Sequence, residues 1–496
     1  MFGLEGLPLS AKANPVSAES NLDLAATHNF IGGEWLPGSS AETLPVLDSA
    51  TEEEIGRVAR GSAADVDLAA RSARDAFSAW ATTPVEQRVA SVKAIVDALE
   101  DRAEELRQVV IPETGTPISQ VDEGQIAYAN EILNGYIDGA DSVTWEETIA
   151  NSTIFYEPIG VVGGIVPWNY PPGAIASKLG AALIAGCTIV LKPSEIAPLD
   201  AVVFADAITA AGLPPGVVNF VFGTGAGAGE PLVTHEEIDV ISFTGSSRGG
   251  RRVSELAAAS LKPVSLELGG KSASVVLEDG DLPTALRYCL DDCMLQLNGQ
   301  VCDALSRLVV PRERLAEAEE LAAEYVNSIV VGDPMDPETS VGPLASAQQQ
   351  EKVLSLVDEA VTDGARVVAG GAGRPEGYTD AGYYVRATVL SGIEPTDSIA
   401  TTEVFGPVVC LMAHDGDQDA LEIANGPMYG LGGAVWSADG DRAMAFARQM
   451  RTGQVDVNTA EYNFGAPFGG FRQSGHGREL GRFGIEELLA SKSIQV

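Results

Sequence analysis

Hydrophobic side chains near the start of the chain follow a helical period. They recur every three or four residues at Val66, Ala69, Ala73, Phe77 and Trp80. This spacing predicts an amphipathic helix over 63–80, with Ser62 as its N-terminal cap. A second helix, running past Leu106, is predicted to begin at a capping box with proline at the first helical position, Thr83-Pro84-Val85-Glu86. Both helices are expected to be scaffold.

A short strand is predicted near 30–36, and from Ile154 onward β-rich runs alternate with helical patterns. The further predicted strands are 160–166, 188–191, 217–222, 238–243, 264–268, 273–277, 305–310 and 408–412. Helical patterns cover an alanine-rich stretch after 166, then 198–211, 247–260 and a segment ending at Tyr325. This alternation is typical of βαβ units, so the fold class is predicted to be α/β with mostly parallel sheets. The two α/β halves are expected to meet near 263–270.

Length and charge restrict the domain count and the partners. A chain of 496 residues exceeds what one hydrophobic core usually organises, so two or three domains are expected. It carries 31 basic and 70 acidic residues, a formal net charge of −39. Such a charge repels phosphate backbones and anionic lipid, so neither nucleic acid nor a membrane is expected as a partner. No apolar run approaches the ~20 residues that span a bilayer.

Cysteine and histidine usage bears on compartment and metals. Five cysteines are spread through the chain without a CxxC pair, which favours a reducing compartment, and a cytoplasmic location is expected. The four histidines show no metal-binding spacing, so no metal is expected. Residues 1–26 lack the basic and apolar pattern of a secretory signal, and they are expected to form a weakly ordered arm.

A glycine-rich segment is the first candidate for chemistry. The pattern Gly223-Thr224-Gly225-Ala226-Gly227-Ala228 follows a predicted strand. Such a turn can hold a dinucleotide pyrophosphate at a helix N-terminus, with Asp239 as a ribose partner. In a chain with 54 glycines, a flexible turn explains the pattern equally well.

Cys302 differs from the other cysteines in its position. It follows a glycine-containing turn, Asn298-Gly299-Gln300-Val301, just before a β-rich run. Backbone amides in such a turn can face an anion, so a thiolate there can act as a nucleophile. The remaining cysteines are interpreted as small buried hydrophobic residues: Cys187, Cys289, Cys293 and Cys410.

Glu267 and Asn169 are candidates for acid–base and oxyanion roles. Glu267 ends an apolar strand and precedes two glycines, so burial would raise its pKa toward a value useful for a general base. An ion-paired strand end is the alternative. Asn169 follows a strand in the segment 167–171. Its amide can donate to a developing oxyanion, or it can simply form a turn beside the prolines.

Seven strings occur in the order found in one family. They are PWNYP at 167–171, KPSE at 192–195, FTGS at 243–246, ELGGK at 267–271, GQVC at 299–302, EVFGP at 403–407 and PFGGFRQSGHGRELG at 467–481. On these strings the chain resembles the aldehyde dehydrogenase superfamily, of the NAD-dependent, hydrolytic type, over roughly residues 28–496. The resemblance implies oxidation of an aldehyde to a carboxylic acid through a thiohemiacetal and a thioester.

The resemblance also implies catalytic roles for five residues. Cys302 matches the nucleophile and Glu267 the general base. Asn169, together with the Cys302 backbone N–H, matches the oxyanion site. Lys178 matches a supporting lysine, and Glu479 matches a glutamate of the proton relay.

An NAD site in a variant Rossmann domain is implied in the same way. Lys192 and Glu195 would hold the adenosine ribose in place of Asp239, and the carboxylate of Glu195 predicts a preference for NAD over NADP. The other implied cofactor residues are Gly225, Gly229 and Ser246 along the pyrophosphate, Glu403 and Phe405 at the nicotinamide ribose, and Ile165, Pro167, Trp168, Asn169, Ser194, Phe243, Thr244, Gly245, Glu267, Leu268, Gly269 and Gln349.

The implied architecture has three parts. An NAD-binding domain comprises 1–137 and 157–262, a catalytic domain comprises 263–481, and a β-rich oligomerisation arm comprises 138–156 and 482–496. The β-forming residues of the arm are Thr144, Thr148, Ile149, Thr153 and Ile154. Homodimers or homotetramers are expected.

Three positions depart from the family pattern and bear on the substrate. Leu297 stands where many members have asparagine, and Ser177 stands where several relatives have an aromatic residue. Asp303 directly follows the nucleophile, which predicts a preference for aldehydes carrying a positive charge or a hydrogen-bond donor. The alternative is that Asp303 pairs within the protein, with a donor such as Arg307.

Two other functions remain open. A CoA-acylating relative would pass the thioester to CoA, and a non-catalytic relative would keep only the fold. The presence of Cys302, Glu267 and Asn169 argues against both.

Overall fold

The computed structural model describes residues 27–378 and 380–496, so the arm predicted over 1–26 lies outside the described residues. In the described part the strands are β1 (His28–Ile31), β2 (Glu34–Pro37), β3 (Thr43–Leu47), β4 (Glu54–Ala59), β5 (Glu146–Ile149), β6 (Ser152–Pro158), β7 (Val161–Ile165), β8 (Thr188–Lys192), β9 (Val218–Phe220), β10 (Val240–Thr244), β11 (Val264–Glu267), β12 (Ala273–Val276), β13 (Arg307–Pro311), β14 (Arg366–Ala369), β15 (Thr388–Ser391), β16 (Val408–His414), β17 (Gly433–Trp436), β18 (Asp456–Val457), β19 (Gly475–His476) and β20 (Leu489–Gln495).

The α-helices of the same residues are α1 (Ala63–Ala81), α2 (Val85–Glu100), α3 (Ala103–Thr114), α4 (Tyr128–Gly139), α5 (Pro171–Ala185), α6 (Asp200–Ala210), α7 (Glu230–Thr234), α8 (Ser247–Ala258), α9 (Leu282–Leu290), α10 (Leu315–Ser328), α11 (Ala347–Thr362), α12 (Ser398–Thr401), α13 (Asp417–Asn425), α14 (Gly440–Ala447) and α15 (Gly481–Glu486). Short turns of other helix types join several of them, among them Gly225–Gly229 and Gln296–Gly299.

A mostly parallel sheet forms the core of the first half. Strands β11, β10, β7, β8 and β9 lie side by side in that order and run parallel. Along β8, Ile189 and Leu191 enter one hydrophobic core while Val190 enters another. Because both faces of the strand are covered by apolar side chains, its sequence is a continuous hydrophobic run. The predicted α/β class is confirmed.

The second half has its own sheet. Its strands lie in the order β14, β15, β16, β13, β12, β17 and β18, and all neighbours run parallel except β14 and β15. The chain passes from the first sheet to the second between Glu267 and Ala273. Strand β11 therefore lies in the first sheet, after the domain boundary predicted at 262–263.

A third sheet joins two distant segments of the chain. Strand β6 pairs antiparallel with β5 and with the C-terminal strand β20. Strands β5 and β20 lie within the two segments predicted to form a β-rich arm, and β6 begins in the first of them and ends past it, at Pro158. The C-terminal segment also contributes to the first core, where Ile485 and Leu488 are buried.

The cap of helix α1 agrees with its prediction. The Ser62 Oγ accepts a hydrogen bond from the Ala64 N–H at 3.1 Å, and the Ser62 N–H donates to the Asp65 carboxylate at 2.8 Å. These reciprocal bonds satisfy donors that a helix N-terminus otherwise leaves unpaired.

The capping box predicted at Thr83 is wrong. Helix α2 begins at Val85 after Pro84, without a side-chain cap. The Thr83 hydroxyl instead donates back to the Ala79 carbonyl at 3.1 Å, at the end of the preceding helix. The predicted second helix is also divided, because the chain leaves helical hydrogen bonding at Asp101 and restarts at Ala103.

Candidate active site

One large cavity, of about 1240 Å³, brings most of the predicted site residues together. It lies where the chain leaves β7, β10 and β11 of the first sheet, and where loops precede β13 and β16 of the second. Carboxyl ends of parallel strands are the usual ligand position in such sheets. The predicted residues on its wall are Pro167, Trp168, Asn169, Thr244, Gly245, Ser246, Glu267, Leu268, Gly269, Cys302, Gln349, Glu403, Phe405 and Glu479.

The turn before Cys302 has an unusual backbone. Leu297 and Asn298 adopt φ values of +46° and +58°. The Asn298 side chain holds this conformation, since its amide donates to the carbonyls of Gly115 and Pro343, both at 2.9 Å. Its oxygen accepts from the Gly342 N–H at 2.7 Å. The buried amide is thus fully used, which fixes the turn that presents the cysteine.

Two further amide side chains connect this turn to Asn169. The Gln300 side chain accepts from the Ala345 N–H at 3.0 Å and donates to the Leu297 carbonyl at 3.0 Å. The Asn169 amide donates to the Gln300 carbonyl at 2.8 Å, and the Asn169 carbonyl accepts from Gln125 at 3.0 Å. The sequence offered Gln300 only as part of a motif, and nothing in it singled out Gln125.

The Cys302 thiol is the reactive candidate among the cysteines. All five are free, and Cys302 alone is only partly buried. Burial raises the pKa of its thiol well above the ordinary value, and the carboxylates of Asp303, Glu267 and Glu403 raise it further. The resting group is therefore a thiol rather than a thiolate at neutral pH, and it needs a base when it reacts.

Glu267 ends β11 as a buried acid. It is 3% exposed, and neither carboxyl oxygen has a hydrogen-bond partner within the described part of the chain. Burial raises its pKa well above the ordinary value, and Glu479 adds to this, while Lys178 and Arg478 oppose it. Glu267 forms no ion pair among the described residues, so the alternative of an ion-paired strand end does not apply. The group can hold or accept a proton in the cavity.

Lys178 and Glu479 form a buried ion pair behind the cavity wall. The Lys178 ammonium lies 2.9 Å from one Glu479 oxygen and donates to the hydroxyls of Ser242 and Thr244 at 3.0 and 2.8 Å. The other Glu479 oxygen accepts from the Ser177 hydroxyl at 2.5 Å. The small polar side chain of Ser177, one of the three positions singled out for the substrate from the sequence, thus holds this carboxylate.

The two glycines that follow Leu268 lie in close contact with Glu403 and with the Cys302 backbone. The Gly270 N–H donates to the Glu403 carboxylate at 3.1 Å. A side chain at Gly269 would lie 2.1 Å from the same carboxylate, and one at Gly270 would lie 2.4 Å from the Cys302 carbonyl oxygen. At Gly270 a Cβ would collide with backbone, so only glycine fits there, whereas at Gly269 it would displace the Glu403 carboxylate.

The loop that contains Phe405 is fixed by hydrogen bonds from the Gln349 side chain. The Gln349 amide donates to the carbonyls of Val404 and Phe405, at 3.0 and 2.6 Å. The Phe405 ring meets the Trp168 ring edge to face, with centroids 5.4 Å apart. Gln349 thereby positions a loop of the cavity wall.

The other predicted cofactor residues lie in the first sheet's strands or just beyond their carboxyl ends, off this cavity wall. They are Ile165, Lys192, Ser194, Glu195, Gly225, Gly229 and Phe243. The Lys192 ammonium is 2.7 Å from the Glu195 carboxylate. Burial raises the pKa of Glu195, but Lys192 outweighs it and the net pKa is lowered, so this carboxylate is ionised. A side chain at Gly225 would meet no atom within 4 Å, so the space beside this turn is open.

The assignment of Asp239 to a ribose, made from the glycine pattern alone, is wrong. Asp239 precedes β10 and so lies at the amino end of the parallel strands. Its carboxylate accepts from Arg74 at 2.6 Å and from the Val161 N–H at 2.7 Å. Both bonds fix the start of the sheet, at the end opposite to the open turn.

The pairing of Asp303 with Arg307 is also wrong. The Arg307 guanidinium is buried, and it donates to three backbone carbonyls, those of Lys271, Ile423 and Ala424. No lysine or arginine of the described residues forms an ion pair with Asp303, whose carboxylate has the neighbouring cysteine sulfur 3.9 Å away. Arg307 ties two segments of the second half together instead.

The side chains described here offer no group of three or more histidine, cysteine or acidic residues that could hold a metal. Over 27–378 and 380–496, none of the helices has both the length and the apolar character that crossing a membrane requires.

Comparison with known proteins places this arrangement in a family. Residues 35–494 match the aldehyde dehydrogenase family. A 3-succinoylsemialdehyde-pyridine dehydrogenase of a Pseudomonas species is 43% identical over 94% of this chain and 97% of its own length. Geranial dehydrogenase of Castellaniella defragrans is 40% identical over 94% of this chain and 98% of its own length.

Solved structures of aldehyde dehydrogenases are also similar to this chain. An aldehyde dehydrogenase mutant of Pseudomonas syringae, in complex with NAD⁺ and octanal, superimposes with a TM-score of 0.93 at 40% identity, covering 98% of each chain. The Mycobacterium tuberculosis aldehyde dehydrogenase complexed with NAD⁺ gives 0.92 at 38% identity, covering 95% of this chain and 99% of that one. The chain therefore belongs to the aldehyde dehydrogenase family.

Proposed function

We propose that this protein oxidises an aldehyde to a carboxylic acid, with NAD as the hydride acceptor and Cys302 as the nucleophile. One observation carries the proposal: a thiol, an unpartnered buried carboxyl group and an amide donor line the same cavity, at Cys302, Glu267 and Asn169. Sulfur is both a good nucleophile and a good leaving group from a thioester, which suits a two-stage reaction.

The residues present fit NAD. The ionised Glu195 carboxylate can accept from ribose hydroxyls, and the open space at Gly225 leaves room for a pyrophosphate. Ser246 caps helix α8, accepting from the Gly249 N–H at 3.2 Å, so the positive end of a twelve-residue helix lies beside the cavity. Glu403 and Phe405 would contact the nicotinamide ribose. When bound, NAD would take the hydride that leaves the former aldehyde carbon.

In the first stage, Cys302 adds to the aldehyde carbon. Its thiol proton passes to solvent through the open cavity, so this step does not depend on Glu267, whose carboxylate stays free for the second stage. The new oxyanion is stabilised by the Cys302 backbone N–H and by Asn169. One amide hydrogen of Asn169 is bonded to the Gln300 carbonyl, and the second remains for the substrate, because a primary amide has two donors. Hydride loss leaves the acyl group on sulfur as a thioester.

In the second stage, Glu267 takes a proton from water, and the hydroxide adds to the thioester carbon. Collapse of the adduct releases the carboxylic acid and returns the sulfur to Cys302. Glu479, held by Lys178 and Ser177, can receive the proton from Glu267 and pass it outward.

The test is NADH formation with a panel of aldehydes, with and without CoA. We expect NADH and free acid without CoA. Acyl-CoA formation that depends on CoA would instead indicate the acylating type, and no NADH with any aldehyde would indicate a non-catalytic relative.

Cys302→Ala should reduce turnover to below a few per cent while leaving NAD binding intact. Cys410→Ala, at a buried cysteine outside the cavity, is the matched control.

We further propose a three-part architecture, with the boundary between the two α/β domains placed after β11 rather than at 262–263, and with 138–156 and 482–496 as an oligomerisation arm. The third sheet supports this, because β5 and β20 are both edge strands and carry exposed Ile149 and Ile494, 58% and 44% accessible. Light scattering should report a homodimer or homotetramer, and Ile149→Lys should reduce its mass. A wild-type monomer would contradict the proposal.

The five free cysteines support a reducing, cytoplasmic location.

A further inference from the structure

Part of the cavity wall beside Cys302 combines aromatic rings with carboxylates. We name this part the substrate chamber and define it by Tyr128, Tyr170, Asp303, Asp456, Tyr462 and Phe464, all of which line the cavity. The Asp303 carboxylate lies 3.9 Å from the Cys302 sulfur, so the chamber begins at the reacting atom. Burial raises the pKa of the Tyr128, Tyr170 and Tyr462 phenols, and the negative charge of Asp303 raises it further.

The rings of the chamber form one contiguous cluster. The Tyr128 centroid lies 5.0 Å from that of Tyr170, 5.4 Å from Phe464 and 6.3 Å from Tyr462. Tyr462 and Phe464 meet edge to face at 4.9 Å. Aromatic faces carry partial negative charge, so several rings around one space favour a cation there.

The carboxylates of the chamber lack a protein cation. Asp456 accepts a hydrogen bond from the Tyr288 hydroxyl at 3.0 Å, and neither Asp303 nor Asp456 belongs to an ion pair within the described residues. The basic side chains on the cavity wall are Arg248 and Lys352. Arg248 lies in helix α8 beside the proposed pyrophosphate path, and the positive charge of Lys352 acts on Glu403. Both therefore belong to the cofactor side of the cavity.

Burial without a cationic partner is unfavourable for these acids. It raises the pKa of Asp303 to about 6 and raises the pKa of Asp456 as well. A substrate cation in the chamber would offset this cost and hold the carboxylates ionised. The Glu267 carboxyl group on the same wall is likewise buried without a hydrogen-bond partner among the described residues.

We propose that the natural substrate is an aldehyde that carries a cationic nitrogen, an alkylated or protonated amine, held among the rings of the chamber and beside Asp303 and Asp456. The proposal rests on the proposed aldehyde oxidation and names the substrate class for the same site. Asp303 is the residue that determines this specificity, since it links the chamber to Cys302.

Two aldehydes of the same shape provide the test. Trimethylammonioacetaldehyde and 3,3-dimethylbutanal differ in replacing a cationic nitrogen by a neutral carbon. We expect kcat/KM to be at least about tenfold higher for the cationic aldehyde. Asp303→Asn should bring the ratio of the two values to within about threefold of unity. Any effect of the mutation on the thiol acts on both aldehydes and cancels in the ratio.

Two further variants make the result decisive. Asp456→Asn should also lower the ratio, which covers the case that the Asp303 variant does not fold. Asp200→Asn is the matched control, because Asp200 is a buried carboxyl group with a pKa raised to about 8 that lies off the cavity wall, and it should leave the ratio unchanged. A wild-type ratio near unity, or a ratio that survives both chamber variants, overturns the proposal.

A binding measurement separates this proposal from the proposed reaction. In Cys302→Ala, calorimetry should show choline binding at least about tenfold more tightly than 3,3-dimethylbutan-1-ol. If neither aldehyde yields NADH in the wild type but choline is still preferred, the proposed oxidation is refuted and cation binding in the substrate chamber is supported. If the neutral aldehyde is oxidised and choline is not preferred, the proposed oxidation is supported and cation binding in the chamber is refuted.

Discussion

Replacing Glu267 by glutamine separates the two stages of the proposed reaction. The amide keeps the shape of the carboxyl group but cannot accept the proton of water. Addition of Cys302, hydride loss and the first NADH should therefore still occur, and the enzyme should stop as a thioester. Stopped-flow mixing is expected to show a burst of about one NADH per active site, followed by very slow turnover.

The size of the effect follows from the surroundings of Glu267. General bases contribute roughly 10²–10⁴-fold to rate. We expect the steady rate to fall by the upper half of this range, roughly 10³–10⁴-fold, because no neighbour can replace the base. Glu479, the other acid at this place, is committed to Lys178 and Ser177.

Stability should not decrease in this variant. A buried acid whose pKa is raised on folding disfavours the folded state at every pH above its unfolded pKa, and Glu267 is such an acid. The neutral glutamine removes this penalty at pH 7, so Tm should stay the same or rise. Glu113→Gln is the matched control for the removal of a buried carboxyl group. Glu113 is also buried and its pKa is also raised, but it lies off the cavity wall. If the burst disappears in Glu267→Gln while Tm is kept, Glu267 is needed for the first stage and the assignment of its role to hydrolysis is refuted.

Three further outcomes are expected. Asn169→Ala should lower kcat roughly 10²–10³-fold, the usual effect of removing one oxyanion donor, and a loss below about fivefold would leave the residue as a turn former. Steady turnover limited by hydrolysis should rise with pH through the neutral range, since Glu267 acts as the ionised base and burial raises its pKa; a profile already flat from pH 5 to 8 would contradict this. NAD should be preferred over NADP in kcat/KM, because the ionised Glu195 would repel a 2′-phosphate, and Glu195→Gln should narrow the difference.

Much of the fold could be predicted because its signals are local. The runs that became β7, β8 and β10 are buried along nearly their whole length, and strands buried on both faces are rich in apolar residues. Signals that depend on the competition between neighbours were less reliable. The Thr83 hydroxyl had a nearby carbonyl at the end of α1 that the sequence pattern does not reveal, so the expected capping box did not form.

The candidate site shows the same division. Motif strings pointed to Cys302 and Glu267, and the structure places both on one cavity wall. The partners of charged groups could not be predicted, since they depend on segments far apart in the chain. Arg307 satisfies its donors on backbone carbonyls more than a hundred residues away, and this leaves Asp303, four residues before it, facing the cavity.

The central claim is that the acyl group is carried by Cys302. The most direct measurement is peptide mass spectrometry of Glu267→Gln, quenched in acid just after the NADH burst with NAD and a neutral aldehyde. We predict that the acyl mass appears on the peptide fragment containing Cys302, in an amount matching the burst. Acyl groups on Cys289 or Cys293, or a full NADH burst without any acylated cysteine, would contradict the account.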